Sequence, residues 1–332
     1  MSPTLSSLGE FGLIRRLQKQ LGKTPTKNLI MGIGDDAAVR RIHSNYFQLL
    51  THDLLLEGVH FLAKTPKDFL NVGWKALAVN LSDIAAMGGM ALEAVVGIGI
   101  PTNSKLHQVD EIYRGLKQCA KKYSCTIVGG DTNLSKKGWV LAVTVLGYSK
   151  TKPLFRNGAK PGDTLWVTGT LGGAVLGWKA IQKKEFSPST KIFRQLHARP
   201  MPRLQWGQQL LKCGMVSSMI DLSDGLAGDL NHISEASRVG FNVEVDKIPS
   251  LPNFFKTCAN LHLDEIPLLL SGGEDYELLF TVKRGQEDKF IYWLKKEKIP
   301  ATHIGSADKF PGLRYFKTGK KISKAFKGFR HF

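Results

Sequence analysis

The 332-residue chain is short of cysteine, of acidic residues and of long apolar runs. Its four cysteines, Cys119, Cys125, Cys213 and Cys258, form no C-x-x-C pair or zinc-type cluster. That spacing argues against a disulfide-stapled scaffold and suits a reducing compartment. No window approaches the roughly 18 consecutive apolar residues that span a bilayer. The opening stretch, Met1 to Glu10, lacks a basic segment followed by an apolar one. A cytoplasmic protein with no membrane partner is expected. Familiar nucleotide signatures are missing as well. A phosphate loop ending at Gly22-Lys23-Thr24 would need glycine where Leu17 stands, and Gly97-Ile98-Gly99 lacks the third glycine of a dinucleotide fingerprint. The protein-kinase motifs and the G-x-S-x-G elbow of serine hydrolases are also absent. Any nucleotide must be held by loops of another design.

Acids are outnumbered, 28 against 46 Lys and Arg, leaving a net charge of +18. The excess is local: from Val282 to Phe332 there are 14 basic and 4 acidic residues, so this segment supplies +10 of the total. Lysines interleave there with Phe, Tyr and Trp, as in a single-strand nucleic-acid binder. A solvated basic face with its aromatics in the core is the preferred reading, so a nucleic-acid partner is not expected.

A hydrophobic content of 42% over this length is enough for two cores. Helical and strand periodicities alternate throughout, which predicts α/β architecture in α+β layers. Strands are expected at Phe47–Thr51, Glu93–Ile100, Thr126–Val128, Trp139–Tyr148, Thr164–Thr168, Met219–Leu222, Phe241–Val245 and Tyr276–Val282. Helices are expected at Pro66–Met87, Lys105–Tyr123, Gly172–Lys183, Pro202–Cys213, Gly225–Val239 and Gln286–Lys298. Thr65-Pro66 is a good helix start and Gly88-Gly89 a good stop. The Lys/Pro/Gly-rich Ser149–Asp163 stretch reads as a linker, dividing the chain into domains 1–150 and 151–332.

Five short motifs then set acids beside glycine, serine or threonine: Gly32-Ile33-Gly34-Asp35-Asp36, Thr51-His52-Asp53, Gly129-Gly130-Asp131-Thr132-Asn133, Asp221-Leu222-Ser223-Asp224-Gly225 and Ser271-Gly272-Gly273-Glu274-Asp275. Each is expected where a strand ends or begins. Any one of them would pass as a turn. Five of them in a basic chain point to a shared cleft, because gathered carboxylates repel one another unless cations neutralise them. Carboxylates without His or Cys partners are hard oxygen ligands that suit Mg²⁺ bridging to a polyphosphate. On the helix after Pro66, Asn80 and Asp83 lie one turn apart and are expected to face that cleft.

Together these motifs resemble the thiamine-monophosphate kinase family of the aminoimidazole ribonucleotide synthetase-like superfamily. The likeness runs through Gly32 to Val39, Asp53 with Gly58 to Phe61, Lys75 to Gly88, Gly129 to Thr132, Asp221 to Leu226, Ser271 to Leu278 and Lys327-Gly328-Phe329. It implies a two-domain fold whose N-terminal domain forms a shared β-barrel in a homodimer. It also implies phosphorylation of thiamine monophosphate by ATP, with several Mg²⁺ ions and direct in-line transfer. No general base is implied, since a phosphate acceptor whose second pKa is about 6 is already anionic near neutral pH.

Position by position, the resemblance makes Asp36, Asp53, Asp83, Asp131, Asp221 and Asp224 metal ligands, with Asp35, Thr51 and His52 beside them. Tyr113, Gly130, Asp131, Arg156 and Ser223 are implied to contact ATP, and His60, Glu274 and Phe326 the thiamine moiety. Many relatives carry Thr or Ser where His52 stands. The family often has Trp in place of Phe326, and Phe keeps a π face while being the weaker cation–π partner.

Overall fold

The computed structural model describes residues 5–22 and 26–329. Helix α1 (Leu5–Leu21), bent at Gly9, precedes strands β1 (Leu29–Met31), β2 (Ala38–His43) and β3 (Tyr46–Leu56). Helix α2 (Pro66–Ala86), strand β4 (Met90–Pro101), helix α3 (Leu106–Tyr123) and strands β5 (Thr126–Ser135) and β6 (Val140–Ser149) follow. Alternate residues along β6 are buried, the mark of a sheet with one covered face. The sheet order is β1-β2-β3-β6-β4-β5, and only the β4–β5 pair, joined by the α3 crossover, is parallel.

Helix α2 starts as its sequence dictates. Thr65 caps it in a reciprocal box with Asp68, Pro66 takes the first turn, and the chain leaves at Gly88 with φ +68°. Sixteen of its 21 residues are buried, so it is a core helix rather than a surface one. One core joins its Leu77, Leu81 and Ile84 to Val143 and Val145 of the first sheet and to Met219, Leu278 and Phe280 of a second. Its close packing on α3 depends on a reciprocal glycine pair. A Cβ at Gly73 would run into the Ile112 carbonyl, and one at Gly115 into the Leu70 carbonyl.

The second half contains β7 (Thr164–Thr168), α4 (Gly173–Gln182), α5 (Lys191–Ala198), α6 (Leu204–Cys213), β8 (Val216–Asp221), α7 (Leu226–Ser237) and β9 (Gly240–Glu244). It continues with α8 (Phe254–Asn260), α9 (Glu265–Ser271), β10 (Leu278–Val282), α10 (Glu287–Glu297), β11 (Ala301–Asp308), β12 (Leu313–Lys317) and β13 (Lys320–Lys321). These strands form a sheet in the order β13-β12-β9-β11-β7-β10-β8. One face joins the α2 core. The other packs Leu165, Val167, Ile220 and Leu279 against Leu176, Leu230, Phe254 and Leu269 of the covering helices.

The architecture is mixed α/β in layers, as expected, and the expected helices fall within two residues of their observed ends. Two motifs are placed differently. Strand β3 continues to Leu56 and β5 to Ser135, so Thr51-His52-Asp53 and Gly129–Asn133 lie inside strands rather than at their ends. Pairing imposes this: β3 is held to β6 along its length, and β5 follows β4 in register past its glycines. In the basic segment, α10 buries Phe290 and Leu294 while Lys289, Lys295 and Lys296 are exposed. No described helix is long and apolar enough to cross a membrane.

The glycine pair yields a stability prediction. Gly115→Val should lower unfolding free energy by about 3 kcal/mol, because overpacking against backbone cannot relax by side-chain rotation. Urea denaturation reads this directly, and an unchanged midpoint would show that α2 and α3 do not meet in this way.

Candidate active site

Three chain segments converge where α2 passes between the sheets. Strand β3 sends Thr51 and Asp53 toward its covered side, α2 supplies Ser82 and Asp83, and the end of β8 supplies Asp221. The Thr51 hydroxyl donates to Asp83, and the Ser82 hydroxyl donates to Asp221 at 2.6 Å. Asp36, on the loop before β2, completes the group: oxygens of Asp36, Asp83 and Asp221 all lie within 4.8 Å of one another. Burial, reinforced by neighbouring carboxylates, pushes the Asp53 carboxyl up to about 6, Asp221 to about 8 and Asp83 well above the usual range. Asp35, beside them, is raised to about 7 by burial and by Asp36.

One cation meets this cluster. Arg156, from the segment joining the two sheets, donates to one Asp36 oxygen through Nη2 at 2.6 Å and Nε at 3.2 Å. The other, Asp36 Oδ2, is buried without a hydrogen-bond partner. That orphan oxygen and the crowding of hard oxygen donors around it fit a divalent cation such as Mg²⁺. Alongside, Asp224, Asp229 and His232 form a second group with ligand atoms within 4.8 Å. The Asp224 amide donates to Asp229 at 3.1 Å. Burial and the nearby Arg156 charge hold His232 down at about 4, so its imidazole is neutral near pH 7.

Two turns earlier, at the middle of α2, lies a buried ion-pair network. Lys75 Nζ is 2.7 Å from Glu274 Oε1 and donates to the His60 carbonyl at 2.9 Å. His197 Nδ1 lies 2.8 Å from Glu274 Oε2, and its ring stacks on Trp178. Burial alone would raise the Glu274 carboxyl, but Lys75 and His197 overcome it and hold the group at about 2. The His60 ring accepts the Leu56 amide at Nδ1, which leaves its proton on Nε2.

The structure therefore brings Asp36, Asp53, Asp83 and Asp221 together with Thr51 and Arg156, with Asp224 and Ser223 on the adjoining β8–α7 turn. It does not bring in every expected residue. The His52 ring lies on the opposite face of β3, bonded to Thr144 at 2.8 Å, because strand alternation turns it away from Asp53. Gly130 and Asp131 lie on edge strand β5, three strands from β3 and about 14 Å across the sheet at the usual strand spacing. Asp131 is exposed and bonded to Asn133, and Tyr113 is exposed on α3.

Phe326 lines a separate cavity of about 1020 Å³ with Asp35, Arg156, Asn231 and His232, and neither His60 nor Glu274 lines it. Its segment is docked by Gly328, whose backbone packs on Gly228 at the start of α7, and by the Phe329 amide donating to the Asp224 carbonyl. Asp229, His232, Lys75 and His197 go beyond the sequence expectation. Asp229 and His232 sit one turn apart just after the Asp221–Gly225 motif, and Lys75 is a cation in the apolar middle of a helix. Those were the available signals; His197 carries none.

Known proteins resemble this chain along its whole length. The model of the AIR synthase related protein N-terminal domain matches residues 34–149, and that of the C-terminal domain matches residues 160–315. The thiamine-monophosphate kinase of Aquifex aeolicus (strain VF5) is 34% identical over 331 residues, covering 99% of each chain. That of Salmonella typhimurium is 37% identical over 98% of each chain. A solved structure, AaThiL complexed with AMPPCP and TMP, superposes over 100% of both chains with a TM-score of 0.85 and 33% identity. On this identity and coverage, the chain belongs to the thiamine-monophosphate kinase family of AIR synthase related proteins.

Proposed function

We propose that this enzyme phosphorylates thiamine monophosphate with ATP to give thiamine diphosphate, by direct in-line transfer at the Asp36–Asp53–Asp83–Asp221 cluster. The carrying observation is the set of buried carboxylates around the unpartnered Asp36 Oδ2. Asp36, Asp53, Asp83, Asp221 and Asp224 would hold several Mg²⁺ ions, with Thr51 orienting Asp83. Bound Mg²⁺ neutralises phosphate charge and so lowers the repulsion between an anionic acceptor and an anionic donor. Arg156 provides a planar cation for phosphate oxygens, and Ser223 lies on the turn carrying Asp224. His60 and Glu274 would meet the cationic thiamine ring system; Phe326 lines a different cavity, with Asp35 and Arg156, and would stack on the ring only if its segment moved toward them. Domains 1–150 and 151–332 each contribute carboxylates, so the cleft between them is the catalytic one.

We further propose a homodimer with a shared barrel. The outward face of the first sheet sets Leu50, Leu54 and Val95, all more than 40% exposed, around the His52–Thr144 pair. The register links them through Leu146, Thr144 and Ala142 of β6 into one patch. A second copy covering this face would also protect edge strand β5. A Leu50→Glu/Val95→Glu variant should then elute as a monomer in light-scattering chromatography, whereas a wild-type chain already monomeric at micromolar concentration would remove the proposal.

Two predictions test the metal site. Asp221→Asn should lower kcat about 100-fold or more while keeping the native circular dichroism spectrum. Near wild-type turnover at limiting Mg²⁺ would overturn the assignment.

The second follows from the raised carboxyl values. The cluster carboxyls bind more protons in the folded chain than in the unfolded one between about pH 4 and 8, so their contribution to metal-free stability falls as pH rises through that window, while the lowered His232 works in the opposite direction below about pH 6.5. Glu274, held at about 2, acts only at lower pH. Mg²⁺ should therefore raise the thermal midpoint more at pH 8 than at pH 5, where protons already neutralise the cluster. Equal shifts at the two pH values would count against it.

A further inference from the structure

We propose that Lys75 is a positioning residue for the acceptor, holding the His60 turn and the Glu274 carboxylate at a fixed separation through one buried ammonium. The inference rests on the reading that His60 and Glu274 contact the thiamine moiety. Lys75 is 1% exposed and sits in an otherwise apolar stretch of α2, where a Met or Leu would fill the space. Burying an ammonium carries a desolvation penalty that pairing at best offsets, so such pairs are weak contributors to net stability. A lysine here is better explained by what it places than by what it stabilises.

Its two partners come from opposite halves of the chain. The His60 carbonyl belongs to the turn after β3, which closes through the Gly58 amide donating to the Phe61 carbonyl at 2.8 Å. Glu274 belongs to the segment before β10 and has a left-handed backbone with φ +69°, an uncommon conformation for a residue with a side chain. The Glu274 amide donates to the Ser223 carbonyl at 2.8 Å, so the same residue is tied to the turn expected to meet ATP.

The carboxylate is restrained from both sides, Oε1 by Lys75 and Oε2 by His197, yet its side chain remains 20% exposed. Burial and the Lys75 charge lower the His197 pKa, and burial lowers that of Lys75 against the pull of Glu274, so each group in the network leans on the carboxylate. Its outer edge thus presents a negative charge with little freedom to rotate. That is what a site needs to orient a cationic ring while the phosphate is held elsewhere.

The experiment compares Lys75→Met with Glu274→Gln in steady-state kinetics with thiamine monophosphate and ATP. Lys75→Met should raise KM for thiamine monophosphate about tenfold or more, a loss of about 1.4 kcal/mol. KM for ATP and kcat should stay within about twofold of wild type. If Lys75→Met lowers only the thermal midpoint while Glu274→Gln raises KM for thiamine monophosphate, the lysine is merely structural; the proposal falls and the pocket reading stands. If neither variant changes that KM, the pocket reading fails and the proposal with it. Should Lys75→Met not accumulate as folded protein, His197→Leu removes the second restraint and gives the same readout. An unchanged KM for thiamine monophosphate in that variant overturns the proposal.

Discussion

Burial of helix α2 on every side is the constraint from which the rest of this structure follows. A helix enclosed by two sheets leaves little room for mobile polar groups, so those it carries are pressed to find fixed partners, although Asn71 Oδ1 and Asn80 Oδ1 have none. Ser82 finds Asp221, Asp83 finds Thr51, and Lys75 finds Glu274 and the His60 carbonyl. Every one of these partners lies on another element, and two of them lie in the other half of the chain. The contacts that satisfy the helix therefore also assemble the site. Its packing on α3 is equally restrictive, since the Gly73 and Gly115 backbones approach too closely for any side chain.

The cluster beside α2 is folded against its own charge. Burial raises Asp36, Asp53, Asp83 and Asp221 together, repulsion between carboxylates adds to it at Asp53, Asp83 and Asp221, and Arg156 pairs directly with Asp36. Such an arrangement is poor for stability and well suited to capturing cations, because the electrostatic strain is relieved when they bind. The Lys75 network has the opposite character. There the carboxylate is kept ionised by its neighbours, and its charge is available without any metal. The two groups of acids thus differ in kind: the charge of one is relieved by bound cations, and the charge of the other is held by its protein neighbours.

Much of this was legible in the sequence, and the exceptions share a cause. Thr65, Pro66 and Gly88 fixed the ends of α2 by local chemistry, and the clustering of acids with glycine pointed to a cation-rich cleft. The face of Thr51-His52-Asp53 was harder to read, because it depends on β3 extending to Leu56 and pairing with β6. Once that register is known, alternation alone turns His52 outward. Gly129-Gly130-Asp131 misleads in the same way: two glycines suggest a loop, yet an edge strand tolerates them and the pairing with β4 continues. His197 left no trace in sequence, since its role arises from a contact 77 positions away along the chain. Local signals carry local structure, whereas the long-range contacts that complete the site become visible only in three dimensions.

The rigidity of α2 has one more consequence. Lys75 and Asp83 are eight residues apart on an uninterrupted helix, which at 1.5 Å per residue separates them by about 12 Å along its axis. One end of that span lies at the Lys75–Glu274 pair and the other at the carboxylate cluster. On the proposed function the helix would act as a ruler, favouring molecules whose charged ends match its length. Discrimination by length in this way needs no dedicated wall or gate, because the spacing is written into the hydrogen-bonded repeat of the backbone itself.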